Sequence, residues 1–146
     1  MRFWYGLISL TALLAGATTV GRLQTAQEKE RAGPPGEKKG QYLVENVAMC
    51  GDCHTPRTED GRADRGRWLM GGAVPFRPAI PNTEWAEIAP RLAGLPPGTD
   101  EQFITLMMTG IARTGRPPRP PMPQFRMTRQ DAQRVLAYLK SVKPSE

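Results

Sequence analysis

Both cysteines of this chain and its single histidine fall within one five-residue stretch, Cys50-Gly51-Asp52-Cys53-His54. All sulfhydryl and imidazole chemistry open to the molecule is therefore confined to one place. Cys-x-x-Cys-His is the sequence cue for covalent attachment of a c-type haem. Two intervening residues let both sulfurs reach one porphyrin edge as thioethers, and the next residue swings beneath the metal as its proximal ligand. Three plainer readings compete. A thioredoxin-type dithiol needs no adjacent histidine and belongs to a βαβ unit, which the surroundings do not suggest. Zinc asks for four ligands, usually Cys or His, and none remains beyond these three. An inert buried cysteine pair is the last alternative. The motif favours haem.

Composition agrees. At 146 residues the chain is one domain with room for a tail. Hydrophobic residues make up 39%, and 15 glycines and 15 prolines imply a loop-rich domain with short helices. Such a chain builds a thin core alone, which a large apolar prosthetic group would fill. The net charge of +6 suits acidic redox partners or an anionic lipid surface. Nucleic acid is the other generic partner of a basic chain. Here the basic residues are scattered and no nucleic-acid module is recognisable, so no nucleic-acid binding is expected.

Residues 1–21 hold an apolar stretch, Phe3 to Val20, behind Met1 and Arg2. As a helix it would be about 27 Å long, just enough for a bilayer core. Its Leu7–Leu14 core and Ala15-Gly16-Ala17 site equally suit a secretory signal. Both readings, cleaved signal or retained anchor, place the rest of the chain outside the cytoplasm, in the periplasm. Phe3-Trp4-Tyr5 suits a membrane interface and leans towards the anchor. Residues 22–39 are polar and carry Gly33-Pro34-Pro35-Gly36, and they read as a flexible tether. Its r.m.s. reach would be roughly 25 Å.

The folded domain is expected over residues 40–146. Tyr42, Leu43, Val47 and Cys50 share one face of a helix leading into the motif, with the Tyr42 ring packed near the far end of the chain. Gly40-Gln41-Tyr42-Leu43-Val44 followed by Cys50-Gly51-Asp52-Cys53-His54-Thr55-Pro56-Arg57 resembles class I cytochrome c. The wording is similar to haem domains in cytochrome subunits of periplasmic and membrane-bound dehydrogenases. The resemblance implies a small all-α fold, few short helices with long loops wrapped around one covalent haem, in which N- and C-terminal helices cross.

From Arg57 to Pro97 turn signals dominate, and the resemblance is loose. In the family an indole N–H commonly donates to a haem propionate, so Trp68 and Trp85 are candidates, beside plain surface-covering roles. Arg57, Arg67 and Arg77 are alternative propionate partners. The family's proline carbonyl, acceptor of the proximal histidine's free N–H, is assigned here to Pro75 or Pro78.

A helix is clear from Asp100 to Thr109: Thr99 caps it with Gln102 at the capping-box position, and Gly110 stops it. Phe103, Leu106 and Met107 form its apolar face. The segment Arg113–Phe125 is too rich in proline for helix or sheet. It suits a polyproline docking stretch by composition. With Met122 between Pro121 and Pro123, however, it resembles the family's distal-ligand loop. A thioether is a soft donor that raises the potential opposite histidine. With no second histidine, Met122 is the distal candidate; Met127 and Met70 compete, as do lysine ligation and an open site. A last helix runs from Thr128 to about Val142, with Ala132, Val135, Leu136 and Leu139 as its buried stripe beside Tyr138.

The resemblance thus implies Cys50 and Cys53 as the attachment residues of one haem c, and His54 and Met122 as the ligands of its iron. It implies a single-electron carrier, not an enzyme, exchanging electrons with redox protein donors and acceptors at small, weak interfaces. A haem subunit of a membrane-associated dehydrogenase or respiratory complex, and a haem sensor or peroxidatic protein with an open distal site, are the other classes.

Overall fold

The computed structural model describes residues 35–145, apart from Asn82 and Leu95. The expected signal or anchor, residues 1–21, and the tether up to residue 34 lie outside the described residues.

Helix α1 (Pro35–Tyr42) begins within the stretch read as a tether, of which residues 35–39 are helical. Proline suits such a helix start, since its missing N–H is one that no residue of a first turn uses within the helix. The helix runs on without a break into a π-helical turn, Leu43–Val47. Here the Ala48 N–H reaches back five residues to the Leu43 carbonyl at 2.8 Å, and the Cys50 N–H six residues to Val44 at 3.0 Å. Widening the turn moves the inward face by about one residue. Leu43 and Val44 are buried, while Tyr42 and Val47, expected on the inner face, are each 52% exposed. The Tyr42 ring lies 4.9 Å beneath the Lys39 ammonium.

The short helix α2 (Gly51–His54) carries the motif. A single 3₁₀ turn at Arg65–Arg67 follows. Strands β1 (Gly72–Ala73) and β2 (Ile88–Ala89) then pair antiparallel, Gly72 with Ala89 and Ala73 with Ile88. This ladder adds a small sheet to the expected all-α architecture. It closes the base of the loop 74–87, with the Val74 N–H on the Glu87 carbonyl at 2.9 Å.

Helix α3 (Asp100–Thr109) has the expected capping box: Thr99 Oγ1 accepts from the Gln102 N–H, and Gln102 Oε1 accepts from the Thr99 N–H. Gly110 ends it at φ 68°, a left-handed position that glycine adopts without strain. Phe103, Ile104 and Met107 are buried. Helix α4 (Arg129–Ser141) is capped by Thr128, whose Oγ1 accepts from the Asp131 N–H at 3.1 Å. Its buried stripe is Ala132, Val135, Leu136, Tyr138 and Leu139.

Helices α1 and α4 cross where Gly40 meets Arg134. A Cβ on Gly40 would lie 2.0 Å from the Arg134 carbonyl oxygen, so only glycine permits the approach. Beside the crossing, the Tyr138 hydroxyl donates to Glu45 Oε1 at 2.5 Å, fastening α4 to the π turn. Burial and this carboxylate push the Tyr138 phenol up to about 12. Two exposed ion pairs, Arg129–Glu101 and Lys140–Asp100, link α4 to α3. Each adds little, as exposed pairs do.

Leu69 holds the irregular middle of the chain. Its side chain is fully buried and its φ is 59°, a strained region for a residue with a Cβ. In return, its N–H meets Thr55 Oγ1 at 3.1 Å. Its carbonyl accepts from both Leu92 and Ala93, at 2.9 and 3.1 Å. One residue thus joins the segment after the motif to the segment before α3.

Candidate haem-binding site

Gly51 explains why the motif turn folds as it does. A Cβ there would sit 2.0 Å from the Trp68 indole, which packs directly behind the turn. The His54 N–H closes the turn on the Cys50 carbonyl at 2.9 Å, and its own carbonyl accepts from Gly71 at 2.7 Å.

His54 is 8% exposed, and its Nδ1 lies 2.7 Å from the Pro90 carbonyl oxygen. A carbonyl can only accept, so Nδ1 carries the proton and Nε2 keeps its lone pair. Burial lowers the imidazole pKa, and the Pro90 hydrogen bond partly opposes it. The ring is therefore neutral, oriented and basic at Nε2, the state a metal ligand requires. Pro90 takes the place expected of Pro75 or Pro78.

Cys50 and Cys53 are free thiols. Burial pushes Cys50 up to about 11, with smaller contributions from Cys53 and Asp52. Cys53 is also raised, by burial and then Asp52, against the lowering charge of Arg57. Thiolate chemistry of the dithiol type calls for depressed pKa values, so this environment does not suit it. Among the described residues no cluster of three or more His, Cys, Asp and Glu side chains could hold a metal ion.

The motif opens onto a cavity of about 300 Å³. Cys50, Cys53 and His54 line it together with Met122, brought from the far end of the chain. The remaining wall is mostly apolar and includes Leu92, Phe103, Leu106, Val135 and Leu139. Two thiols, a neutral imidazole and a thioether around one apolar cavity fit a covalently held haem. Met70 and Met127, the expected competitors of Met122, do not line it. Met49 and Met107 do, but Met49 adjoins Cys50 in the chain and Met107 is a 2%-exposed residue of the helical core.

The expected anion partners are elsewhere. Trp68 is absent from the cavity wall; its buried Nε1 faces the Tyr138 hydroxyl without completing a hydrogen bond. The Arg65 guanidinium lies 4.1 Å over its ring. Trp85 donates its N–H to the Phe76 carbonyl at 3.1 Å. Arg57 donates to the Asp52 and Gly61 carbonyls, bracing the motif turn, and Arg67 pairs with Asp64. Neither these two nor Arg77 lines the cavity. Its charged lining residues are Arg113 and Arg119 instead. The signal for them was their place in the same proline-rich segment as Met122, a segment whose path the sequence leaves undefined.

Residues 37–143 match the family described as cytochrome c. A protein of Cereibacter sphaeroides described as "Diheme cytochrome c-type" is 49% identical over 55 residues. The match takes in 37% of this chain and 19% of that relative, so the chain spans well under two thirds of the relative's length. The helices crossing at Gly40, the Cys-x-x-Cys-His turn and the cavity it opens onto accord with the family match. The chain belongs to the cytochrome c family, as a class I c-type cytochrome.

Proposed function

We propose that this cytochrome c carries single electrons on one haem attached through Cys50 and Cys53, with His54 and Met122 as axial ligands, outside the cytoplasm. The observation that carries the reading is the convergence of all four side chains on one apolar cavity. Haem-based electron transfer with a covalent haem c is what the family supplies; held by these residues, the group would supply one-electron Fe(III)/Fe(II) chemistry. The chain's own residues do the rest. The cysteines fix the group, Pro90 holds His54 in the tautomer that offers Nε2, and the apolar wall excludes water. The prolines around Met122 restrict its backbone, so little entropy is lost in presenting a weakly binding thioether. Ligands on both faces would leave no place for a substrate, which favours a carrier over a catalyst.

The residues before position 35 enter this reading as a signal or anchor, 1–21, and a tether. An apolar stretch after Met1-Arg2 and a haem-attachment motif both favour the periplasmic side, with association to the inner membrane if the stretch is retained. Among the described residues no helix is long and apolar enough to cross a membrane.

The test is the oxidised visible spectrum. Met122→Ala should abolish the thioether-to-iron charge-transfer band, while Met127→Ala and Met70→Ala keep it. A spectrum unchanged in Met122→Ala, or carbon monoxide binding by the untreated ferrous protein, would overturn the distal assignment. N-terminal sequencing of membrane and soluble fractions distinguishes anchor from cleaved signal.

A second reading has its own support. The relative is described as diheme and is much longer than the aligned stretch. This favours a haem subunit of a larger oxidoreductase, and co-purification with a dehydrogenase at fixed stoichiometry would establish it.

A further inference from the structure

The cavity that receives the haem is mostly apolar, and among the described residues no carboxylate lines it. Two cations do, Arg113 and Arg119. Neither is paired with an acidic side chain among the described residues, whereas Arg62, Arg67, Arg129, Arg134 and Lys140 all are. Both are exposed at the mouth of the cavity, where a solvated guanidinium is free to turn onto an anion that the occupant brings. Haem brings two, as its propionate carboxylates.

The backbone presents both arginines from one loop. The Gly115 N–H donates to the Ala112 carbonyl at 2.9 Å, and the Ala112 N–H to Arg116 at 2.8 Å, forming a tight turn that carries Arg113. Arg119 begins the turn that delivers the methionine, its carbonyl accepting from the Met122 N–H at 3.3 Å. The two indoles do not line the cavity: the Trp85 N–H is on a backbone carbonyl, and Trp68 lies behind Gly51.

We propose that Arg113 and Arg119 bind the two haem propionates, so that a single proline-stiffened loop supplies both the distal ligand and the counter-ions of the prosthetic group. This rests on the haem reading above. A guanidinium against each propionate keeps it ionised through the neutral range. It also cancels negative charge that would otherwise favour Fe(III), holding the potential up.

Redox titration of the purified holoprotein tests this across about pH 5 to pH 8, where an unpaired, partly buried carboxyl would titrate. The wild type should give a nearly flat midpoint. Arg113→Gln and Arg119→Gln should each lower the reduction equilibrium by up to about tenfold, 59 mV for one electron. Each should also acquire a pH-dependent segment, while Arg113→Lys and Arg119→Lys retain most of the wild-type potential. Profiles of the glutamine variants that superimpose on the wild type would overturn the assignment. A change in one variant alone removes the other arginine from it. Should the variants fail to mature, infrared spectra of wild-type protein with ¹³C-labelled propionates decide. Ionised carboxylate bands persisting to pH 5 support the pairing, and protonated carboxyl bands at that pH refute it. Haem content and the charge-transfer band are read on the same samples, so loss of the haem or Met122 reading shows itself separately.

Discussion

The imidazole of His54 and the carbonyl of Pro90, 36 residues apart, meet at 2.7 Å beside the cavity. The bond sets the tautomer and lends electron density to the ring, so its strength should be readable at the iron. Pro90→Gly keeps the carbonyl but frees its backbone, costing about 1 kcal/mol through the unfolded state. A looser acceptor makes Nε2 less basic and favours Fe(II). Redox titration should show a higher midpoint potential than wild type. An unchanged potential beside a measurable stability loss would confine Pro90 to a structural role.

Tyr138 should control alkaline stability. Its phenol is raised from 10.0 to about 12, by burial first and then by its bond to Glu45. An acid whose pKa is raised by folding favours the protonated, folded form. That contribution is whole below pH 10 and is lost as pH climbs towards 12. Tyr138→Phe should remove this segment of the unfolding profile and cost about 1.5 kcal/mol at neutral pH through the lost charged hydrogen bond. Denaturant titrations at neutral pH and across the alkaline range check both.

Gly40→Ala places a methyl group into the Arg134 carbonyl at the α1–α4 crossing. A loss of roughly 1–3 kcal/mol is expected, as for overpacked cores. Gly36→Ala, in the same helix but with nothing within 4 Å of the added carbon, should instead gain about 0.5 kcal/mol from helix propensity. Thermal unfolding of the two variants should move in opposite directions. A shared direction would contradict the crossing.

Thr55→Val preserves shape and removes the acceptor of the Leu69 N–H. A buried donor left unpaired costs about 1–3 kcal/mol. Thr55→Ser, which keeps the oxygen, should lose less than half of that. Chemical unfolding of the pair measures the hydrogen bond separately from the packing.

What the sequence disclosed and what it withheld divide along physical lines. Helices α3 and α4 were legible because their signals are local: Thr99 with Gln102, Gly110, Thr128 with Asp131, and apolar residues at helical spacing. Cys50, Cys53 and His54 were legible because the chain has no other thiol or imidazole, and Met122 because its proline-flanked loop resembles that of the family. Pro90 was not, since the 36-residue excursion back to His54 is set by the strained Leu69 and by the β1–β2 ladder, neither of which has a periodic signature. The π turn reversed the expected placement of Tyr42 and Val47, because a one-residue widening leaves the apolar spacing ambiguous. Trp68 is a candidate anion donor by sequence, and its position behind Gly51 takes it off the cavity wall. The second residue of the attachment motif thus has a steric reason to be glycine that the motif alone does not express.

The loop carrying Met122 is fastened to the rest of the domain more sparingly than the turn carrying His54. Its main-chain ties are the Ala86 N–H on the Pro120 carbonyl, at 2.7 Å, and the Met127 N–H on Met107, at 3.0 Å. His54 is held by its own turn, by Gly71 and by Pro90, all within reach of the Leu69 junction. The two sides of the cavity therefore differ in their opening energies, and the arm carrying Met122 is the smaller cooperative unit. It can lift away while the helices stay crossed, so amide exchange at Ala86 and Met127 should run ahead of exchange in α4. The domain breathes from its methionine side.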